Sequence, residues 1–511
     1  MTRAERFRDL TATGFVSRGL SHQTVRAGSF TVAAEVADFV LRMSSIAVLS
    51  RLLAPGDFGL LAMVTAITTI AEQFKDLGLT AATVQRQEIT HEQISALFWV
   101  NLGVGVGLMC MVAAASIPIA HFFGEPRLIA ICLVIATSFL WSGGSVQHAA
   151  LLRRTMRFGH LAAIDTFSSL VSIVVAVMMA IDGYGYWSLV AREVVRNVLR
   201  AVGAWLSLPW IPGAPLPRAE VRPMLTFAGN VTGFSVLKFT GESVGQVLVG
   251  RLLGAESLGI YRQALQLALV PIQHLSGPLR SVGDVALSRL QGDVTRYRRF
   301  YQRYLALTSI VTMPVMVLVC VLADDVVRLV LGARWIDAAP VLRVTALAGL
   351  LGPSLTTAVA VTLSCGHARR LLRFAACEFS CLALFFVLGA PWGMVGVAAA
   401  HLWVVACAGI PALYWLLKDT PISLRFFFSI IARPALASAC MACALLFFRA
   451  VVPARSVSVV VFGAALATAV YALVLLILPG GREELAGLLS DLRKGVLVDK
   501  VTTRPNGVAA D

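Results

Sequence analysis

Charge is what this chain has least of. Only 14% of its 511 residues are Asp, Glu, Lys or Arg, while 58% are hydrophobic. Ordinary soluble domains carry roughly a quarter charged residues, and a soluble protein this apolar would expose aggregating patches. Disorder, which needs low hydrophobicity and high charge, is excluded by the same figures. Also missing is a G-x-x-x-x-G-K-[ST] phosphate loop, so nucleotide hydrolysis by that route is not expected. His91-Glu92 begins like a zinc-protease helix, but position 95 is Ser95, so the second ligand is absent. The nine cysteines fall in apolar segments and read as buried apolar residues, the Cys440/Cys443 spacing included. No cleavable signal peptide is expected, because the first 26 residues hold five arginines and no apolar core of the right length. What is present is hydropathy, with a mean of +0.80. The sequence describes an all-α integral membrane protein.

A helix needs about 20 apolar residues to cross the hydrocarbon core. Fourteen candidate spans begin near Gly28, Phe58, Gln93, Leu128, Leu161, Tyr186, Met224, Leu258, Tyr304, Val341, Leu371, Gly393, Phe426 and Val457. The loop charges test that count. If the amino terminus is cytoplasmic, twenty-seven of the 43 Lys and Arg fall on cytoplasmic segments and seven on the other side. That is the asymmetry expected of an inner-membrane protein with both termini inside. The net charge of +15 is thereby accounted for by topology, and a nucleic-acid partner is not implied. The cytoplasmic stretch from Asp284 to Arg303 reads as a solvated basic loop, with a surface amphipathic helix as the alternative.

The chain repeats itself. Arg51-Leu52-Leu53 precedes Gly59 as Arg251-Leu252-Leu253 precedes Gly259, at an offset of 200 positions. Arg153-Arg154-Thr155-Met156-Arg157-Phe158 is echoed by Arg369-Arg370-Leu371-Leu372-Arg373-Phe374. The expected organisation is a cytoplasmic segment 1–27, a six-span lobe 28–208, a linker 209–223, a second six-span lobe 224–417, two further spans in 418–479 and a cytoplasmic tail 480–511. Six spans per repeat give both lobes the same orientation, related by a pseudo-two-fold along the membrane normal. Two lobes around a cleft is an alternating-access layout. The triplet Gly103, Gly105, Gly107 reads as close helix packing.

An ionisable group in mid-bilayer is costly and normally faces a cavity or a partner. The first span carries Glu35, Asp38 and Arg42 on one helical face; the seventh carries Lys238 and Glu242. At the repeat offset Asp38 falls on Lys238 and Arg42 on Glu242, so each lobe presents an acid–base pair with the signs exchanged. Such pairs either neutralise themselves for insertion or line a polar cleft. Arg192, Arg196 and Arg200 form a stripe in the sixth span, and Arg262 stands in the eighth, with Arg280 further along. Arginine offers a rigid fork of donors suited to phosphate, whereas Arg200 and Arg280, near span ends, could equally snorkel to headgroups. The candidate substrate residues are Arg42, Lys238, Arg262, Glu242, Arg192 and Arg196. Glu35 and Asp38 are candidates for ion coupling.

Arg51-Leu-Leu-Ala-Pro-Gly-Asp-Phe-Gly59, Asp76-Leu-Gly78, Gln85-Arg86 and Leu97-Phe-Trp-Val-Asn101 follow in series, then Leu151-Leu-Arg-Arg-Thr-Met-Arg-Phe158 and Tyr184-Gly-Tyr-Trp-Ser-Leu-Val190. The second half adds Leu287-Ser-Arg-Leu290 and Gly332-Ala-Arg-Trp335. Over residues 28 to 420 the series resembles the Wzx-type lipopolysaccharide and exopolysaccharide biosynthesis proteins of the multidrug/oligosaccharidyl-lipid/polysaccharide exporter superfamily. The resemblance implies a V-shaped pair of six-helix lobes and flipping of an undecaprenyl-pyrophosphate-linked oligosaccharide to the periplasmic leaflet. It implies no shared catalytic motif, no cofactor and no enzymatic activity. The partners expected are the lipid-linked oligosaccharide, membrane lipid, and the polymerase and glycosyltransferase machinery. A cation-coupled small-molecule antiporter of the same superfamily is the competing reading, and a non-transporting scaffold a third.

Overall fold

Uninterrupted apolar runs leave the backbone no water to bond with, so within a bilayer each run must satisfy its own N–H and C=O groups as helix. The computed structural model describes residues 20–76, 80, 83, 89–214, 222–452 and 457–478, with side chains from Glu35 onward except at 222–239, 242, 278, 281 and 368. Those residues form fifteen α-helices and two short 3-10 turns, with no strand among them. In chain order the helices are α1 (Leu20–Leu52), α2 (Pro55–Asp76), α3 (His91–Phe123), α4 (Leu128–Arg154), α5 (Phe158–Ile181), α6 (Tyr186–Ser207) and α7 (Arg222–Arg289). They continue with α8 (Val294–Val321), α9 (Ala323–Val330), α10 (Ala338–Gly349), α11 (Gly352–Ser364), α12 (Ala368–Gly389), α13 (Gly393–Leu417), α14 (Leu424–Val451) and α15 (Val457–Ile477).

Each of the fourteen expected spans coincides with helix. The 68 residues of α7 would make a rod of about 100 Å if straight, too long for one crossing. Gly254, at φ 82° and ψ −179°, breaks it into two. Conversely, α10 and α11 make one span between them. Eight segments among the described residues are long and apolar enough to cross a membrane, α12 and α13 forming one continuous stretch. Absent from those eight are the long helices α1, α2, α6 and α7, and the eight-residue α9. The outward faces are greasy, as lipid contact requires: Phe447, Trp392 and Ile477 are each more than two-thirds exposed.

Two compact units divide the chain within α7. The first runs to Gln263 and adds Ala390–Val397; the second takes Ala264–Gly389 and Ala398 onward. In the first unit α3 packs on α4, α5 on α6, α6 on α4, and α1 on α5. Of the three glycines in α3, only Gly105 is a close-packing position. A Cβ there would stand 2.6 Å from the Phe139 carbonyl oxygen, while Gly103 and Gly107 have nothing within 4 Å. Gly143 answers from α4, 2.8 Å from the Asn101 carbonyl oxygen on the same measure. Behind this crossing Thr83 donates to Gln147 (3.1 Å), Gln147 to Asn101 (2.9 Å), and Asn101 to the Lys75 carbonyl (2.9 Å).

The two halves of the repeated Arg-Leu-Leu…Gly segment meet inside this unit. A Cβ on Gly59 would collide with the Ala255 carbonyl, and a Cβ on Gly259 with the Pro55 carbonyl. The contact is reciprocal at the repeat offset, which coincidental sequence similarity would not produce. The second echo behaves differently. Arg153 and Arg154 close α4, ahead of a turn at Met156 (φ 56°), whereas Arg369 and Arg370 open α12, after a turn at Gly366 (φ 80°). Matching turns, not the arginines, are the equivalent positions. The guanidinium groups share only a placement at a helix–loop boundary, where either side of the turn satisfies the charge rule.

In the second unit α8 is central, contacting α10, α11, α14 and α15. The stretch from Asp284 to Arg303 is two helix ends joined by a short turn at 290–293, not one solvated loop. α7 continues to Arg289, and Asp293 then caps α8, its Oδ1 accepting from Thr295 N and Arg296 N at 3.0 Å. The reason is the spacing of Tyr297, Tyr301 and Tyr304, which places three rings on one buried face. Tyr297 and Ser364 hydroxyls lie 2.6 Å apart and those of Tyr301 and Thr357 3.0 Å apart. Asp325 on α9, almost fully buried, pairs with Arg449 of α14 at 2.5 Å. The cysteines are free thiols, but only Cys132 is buried; Cys110, Cys377, Cys407 and Cys443 face outward. In an apolar span that outward face is the lipid, so hydrophobicity alone could not tell core from periphery.

Candidate functional site

The long helices missing from the apolar set all carry charged side chains within their length. Each polar side chain there lowers the mean hydropathy of its span, and four such helices from the first unit bring their ionisable groups together. α1 contributes Asp38, Arg42 and Ser45; α2 contributes Thr65 and Glu72; α6 contributes Arg192, Glu193, Arg196 and Arg200; α7 contributes Arg262. α5 adds Asp165.

Spacing of four along α1 puts Arg42 Nε 2.7 Å from Asp38 Oδ2. One turn further, the buried Ser45 hydroxyl accepts from Arg192 Nη1 at 3.1 Å, tying α1 to α6. Arg192, Arg196 and Arg200 sit one above another, an arrangement of like charges that destabilises a helix unless compensated. The compensation comes from both its own helix and its neighbours. Arg200 Nε bonds Asp165 Oδ1 on α5 at 2.6 Å. Glu193 and Glu72 both lie within electrostatic range of Arg196. Asn197 fixes Glu193, donating to its Oε1 at 3.2 Å and to its carbonyl oxygen at 2.9 Å. Arg262 reaches across from α7 to donate to the Thr65 hydroxyl, within electrostatic range of Arg192 and Glu193.

Five arginines therefore meet four carboxylates, leaving a positive excess. One donor in the middle is unspent: Arg196 Nε is shielded from solvent and has no hydrogen-bond acceptor. Gln263 Nε2 and Gln246 Oε1, in the same unit, are likewise buried without partners. A buried polar group left without a partner costs about 1–3 kcal/mol, so the two nitrogens mark where a ligand's acceptors would be favourable and Gln246 Oε1 where a ligand's donor would be.

The structure thus brings together Asp38, Arg42, Arg192, Arg196 and Arg262. Glu35 is exposed on α1. The side chains of Lys238 and Glu242 lie outside the described residues, so the sign-exchanged pairing across the repeat is untouched. Arg280 belongs to the second unit, 3.8 Å from Asp284. Sequence reasoning passed over Glu72 and Asp165. Asp165 is a lone carboxylate in an apolar run and Glu72 stands at the charged end of α2 beside Lys75 and Asp76; both were outweighed by the closely spaced charges of α1 and α6. His91 has a structural partner: its Nδ1 accepts from Trp210 Nε1 at 3.0 Å. Among the described residues no group of three His, Cys, Asp or Glu could hold a metal ion.

Comparison with known proteins places this arrangement in a family context. Residues 48–340 match the model of a family described as polysaccharide biosynthesis protein. The chain is 25% identical over 338 residues to the lipopolysaccharide biosynthesis protein WzxC of Escherichia coli K12, covering 65% of this chain and 68% of that one. It is 25% identical over 457 residues to the succinoglycan biosynthesis transport protein ExoT of Rhizobium meliloti, covering 88% and 92%. Among solved structures it resembles the lipid II flippase MurJ in an inward closed conformation. The TM-score is 0.72 at 15% identity, with 88% of this chain and 98% of that chain covered. At that identity the likeness speaks for the fold, which is the two-lobe, fourteen-helix architecture read from the spans.

Proposed function

The chain belongs to the polysaccharide biosynthesis protein family, and we propose that it flips a lipid-linked oligosaccharide, carried on undecaprenyl pyrophosphate, from the cytoplasmic to the periplasmic leaflet of a bacterial inner membrane. The observation that carries the reading is the arginine network of α1, α6 and α7, with an excess positive charge and the unfilled Arg196 Nε at its centre. Guanidinium groups are less strongly hydrated than ammonium and bond phosphate oxygens two at a time, which suits a pyrophosphate that must shed water to enter a membrane. Arg192, Arg196 and Arg262 would engage the pyrophosphate, with Arg42 alongside. Lys238 and Glu242 retain their assignment as cleft residues, and Glu35 and Asp38 theirs as ion-coupling carboxylates. The sugar would travel with the phosphate through a hydrated path while the polyprenyl tail stays in lipid, where its burial is favourable.

In this reading the repeated halves 28–208 and 224–417 are the moving lobes, both termini are cytoplasmic, and the protein acts without catalysing a covalent step. The relatives named for polysaccharide biosynthesis and transport support the substrate class. Polymerase and glycosyltransferase machinery would supply and consume the substrate on either side. Deleting the gene is expected to abolish surface polysaccharide while leaving drug sensitivity unchanged, and re-expression of the wild-type chain is expected to restore it. Unchanged polysaccharide with heightened drug sensitivity would instead establish the antiporter.

A further inference from the structure

A second basic site lies in the other unit, apart from the network assigned to transport. A cavity of about 640 Å³ is lined by Gly366, His367, Arg369, Arg370, Arg373, Trp415 and Lys418. It sits where the turn joining α11 to α12 meets the turn joining α13 to α14. Arg370 braces those turns, donating to Asp419 Oδ2 at 2.9 Å and to the Lys418 carbonyl. That spends the one carboxylate contributed by the second turn. Arg369, Arg373 and Lys418 are exposed and, among the described residues, make no ion pair. His367 Nδ1 is shielded from solvent and has no hydrogen-bond partner. The first turn of α12, whose amide dipoles favour negative charge, begins in the same wall.

Three uncompensated cations around one concavity repel one another unless an anion joins them. Two guanidinium forks and an ammonium, with an imidazole nitrogen to spare, match the several oxygens of a phosphate group. Trp415 narrows the choice of ligand. Its half-buried indole is the amphipathic ring characteristic of the membrane–water boundary, and it offers an apolar surface that a free ion would not use. We propose that this cavity is a binding site for lipid-borne phosphate at the basic, loop-rich side of the membrane. The chemistry shared by its possible sources is a phosphate carrying at least one full negative charge beside an apolar stem, as in an anionic phospholipid or a polyprenyl pyrophosphate.

The test is native mass spectrometry of the full-length protein released from detergent. Phosphatidylglycerol, phosphatidylcholine, undecaprenyl pyrophosphate and inorganic pyrophosphate are added in separate arms. The variant R369Q/R373Q/K418Q empties the cavity of its free cations and spares the bracing Arg370. Because all three side chains are exposed, its unliganded melting temperature is expected to match the wild type. The comparison variant R289Q/R299Q/R303Q removes the same charge from exposed positions outside the cavity. Adducts of an anionic lipid, absent with phosphatidylcholine, are expected to weaken at least about tenfold in the cavity variant, the loss of one charged hydrogen bond or more. They are expected to persist in the comparison variant. Preference for phosphatidylglycerol would assign a structural lipid, and preference for undecaprenyl pyrophosphate a waiting position for substrate. Equal weakening in both variants, no weakening in the cavity variant, or binding of inorganic pyrophosphate as tight as that of either lipid would overturn the proposal. Because the readout is binding, loss of the site and failure of the transport assignment remain separable.

Discussion

Replacing Arg262 by alanine is expected to lower polysaccharide export by about ten- to a hundredfold, the worth of one to two charge-assisted hydrogen bonds to phosphate. Membrane abundance of the variant should stay near wild type. Arg262 is the only ionisable group that α7 adds to the described network, and it arrives anchored, with one donor held by the Thr65 hydroxyl of α2. The Thr65 hydroxyl already donates to the Leu61 carbonyl at 2.9 Å, so alanine takes away an incoming donor but leaves the hydroxyl hydrogen-bonded. The cost therefore falls on ligand contact more than on folding. Arg262→Lys separates charge from geometry. It keeps the positive charge within reach but loses the planar fork, and should recover only part of the export. Full recovery by lysine would mean that charge alone matters there. The assay is surface polysaccharide per cell, normalised to immunoblotted membrane protein.

The second large effect is steric. Gly59→Val or Gly259→Val should each destabilise the protein by about 3 kcal/mol or more, at the upper end for overpacking in a close-packed interior. Each added Cβ would overlap a carbonyl oxygen of the repeat-related segment, Ala255 or Pro55, and backbone cannot swing aside as a side-chain tip can. Gly56 supplies the contrast. It lies in the same helix with nothing within 4 Å of its Cβ position, so Gly56→Ala should be neutral or slightly stabilising through helix propensity. The measurement is the melting temperature of purified protein together with steady-state abundance. Gly59→Val accumulating and melting like Gly56→Ala would mean the crossing is not a fixed contact of the molecule.

How much of this was readable beforehand depended on which physical signal was periodic. Helix-length runs between charged or Gly/Pro punctuation located all fourteen spans, because the bilayer sets a length that sequence must meet, although apolarity alone picks out only eight segments among the described residues. An interruption between the spans beginning near Met224 and Leu258 was expected, but not its form: the structure makes it at the single residue Gly254 with no intervening loop. The crossing of Gly59 on Gly259 was half legible: the repeat was visible, but only three-dimensional proximity shows that its two copies touch. The charges of α1 and α6 announced themselves through their spacing of three and four, and α7 added Arg262. Asp165 did not, because it is the one carboxylate of α5 and finds Arg200 only through tertiary packing; Glu72 did not, because beside Lys75 and Asp76 it reads as part of the charged end of α2. The solvated loop expected between Asp284 and Arg303 failed because charge outweighed pattern in the reading. Tyr297, Tyr301 and Tyr304 already held a helical spacing, and their burial against α11 decided the outcome. The second arginine echo misled because position at an interface, not descent within the repeat, places those residues.

The central claim is that this chain moves a lipid-linked saccharide and holds its pyrophosphate with the α6–α7 arginines. The most direct test is translocation in liposomes that contain only purified protein and a polyprenyl-pyrophosphate-linked oligosaccharide, read by the protection or exposure of the sugar to an added glycosidase. Wild-type protein should make the inner-leaflet pool accessible over time, and the R196A/R262A variant should leave it protected. Accessibility that is equal for wild type, variant and protein-free liposomes would contradict the account.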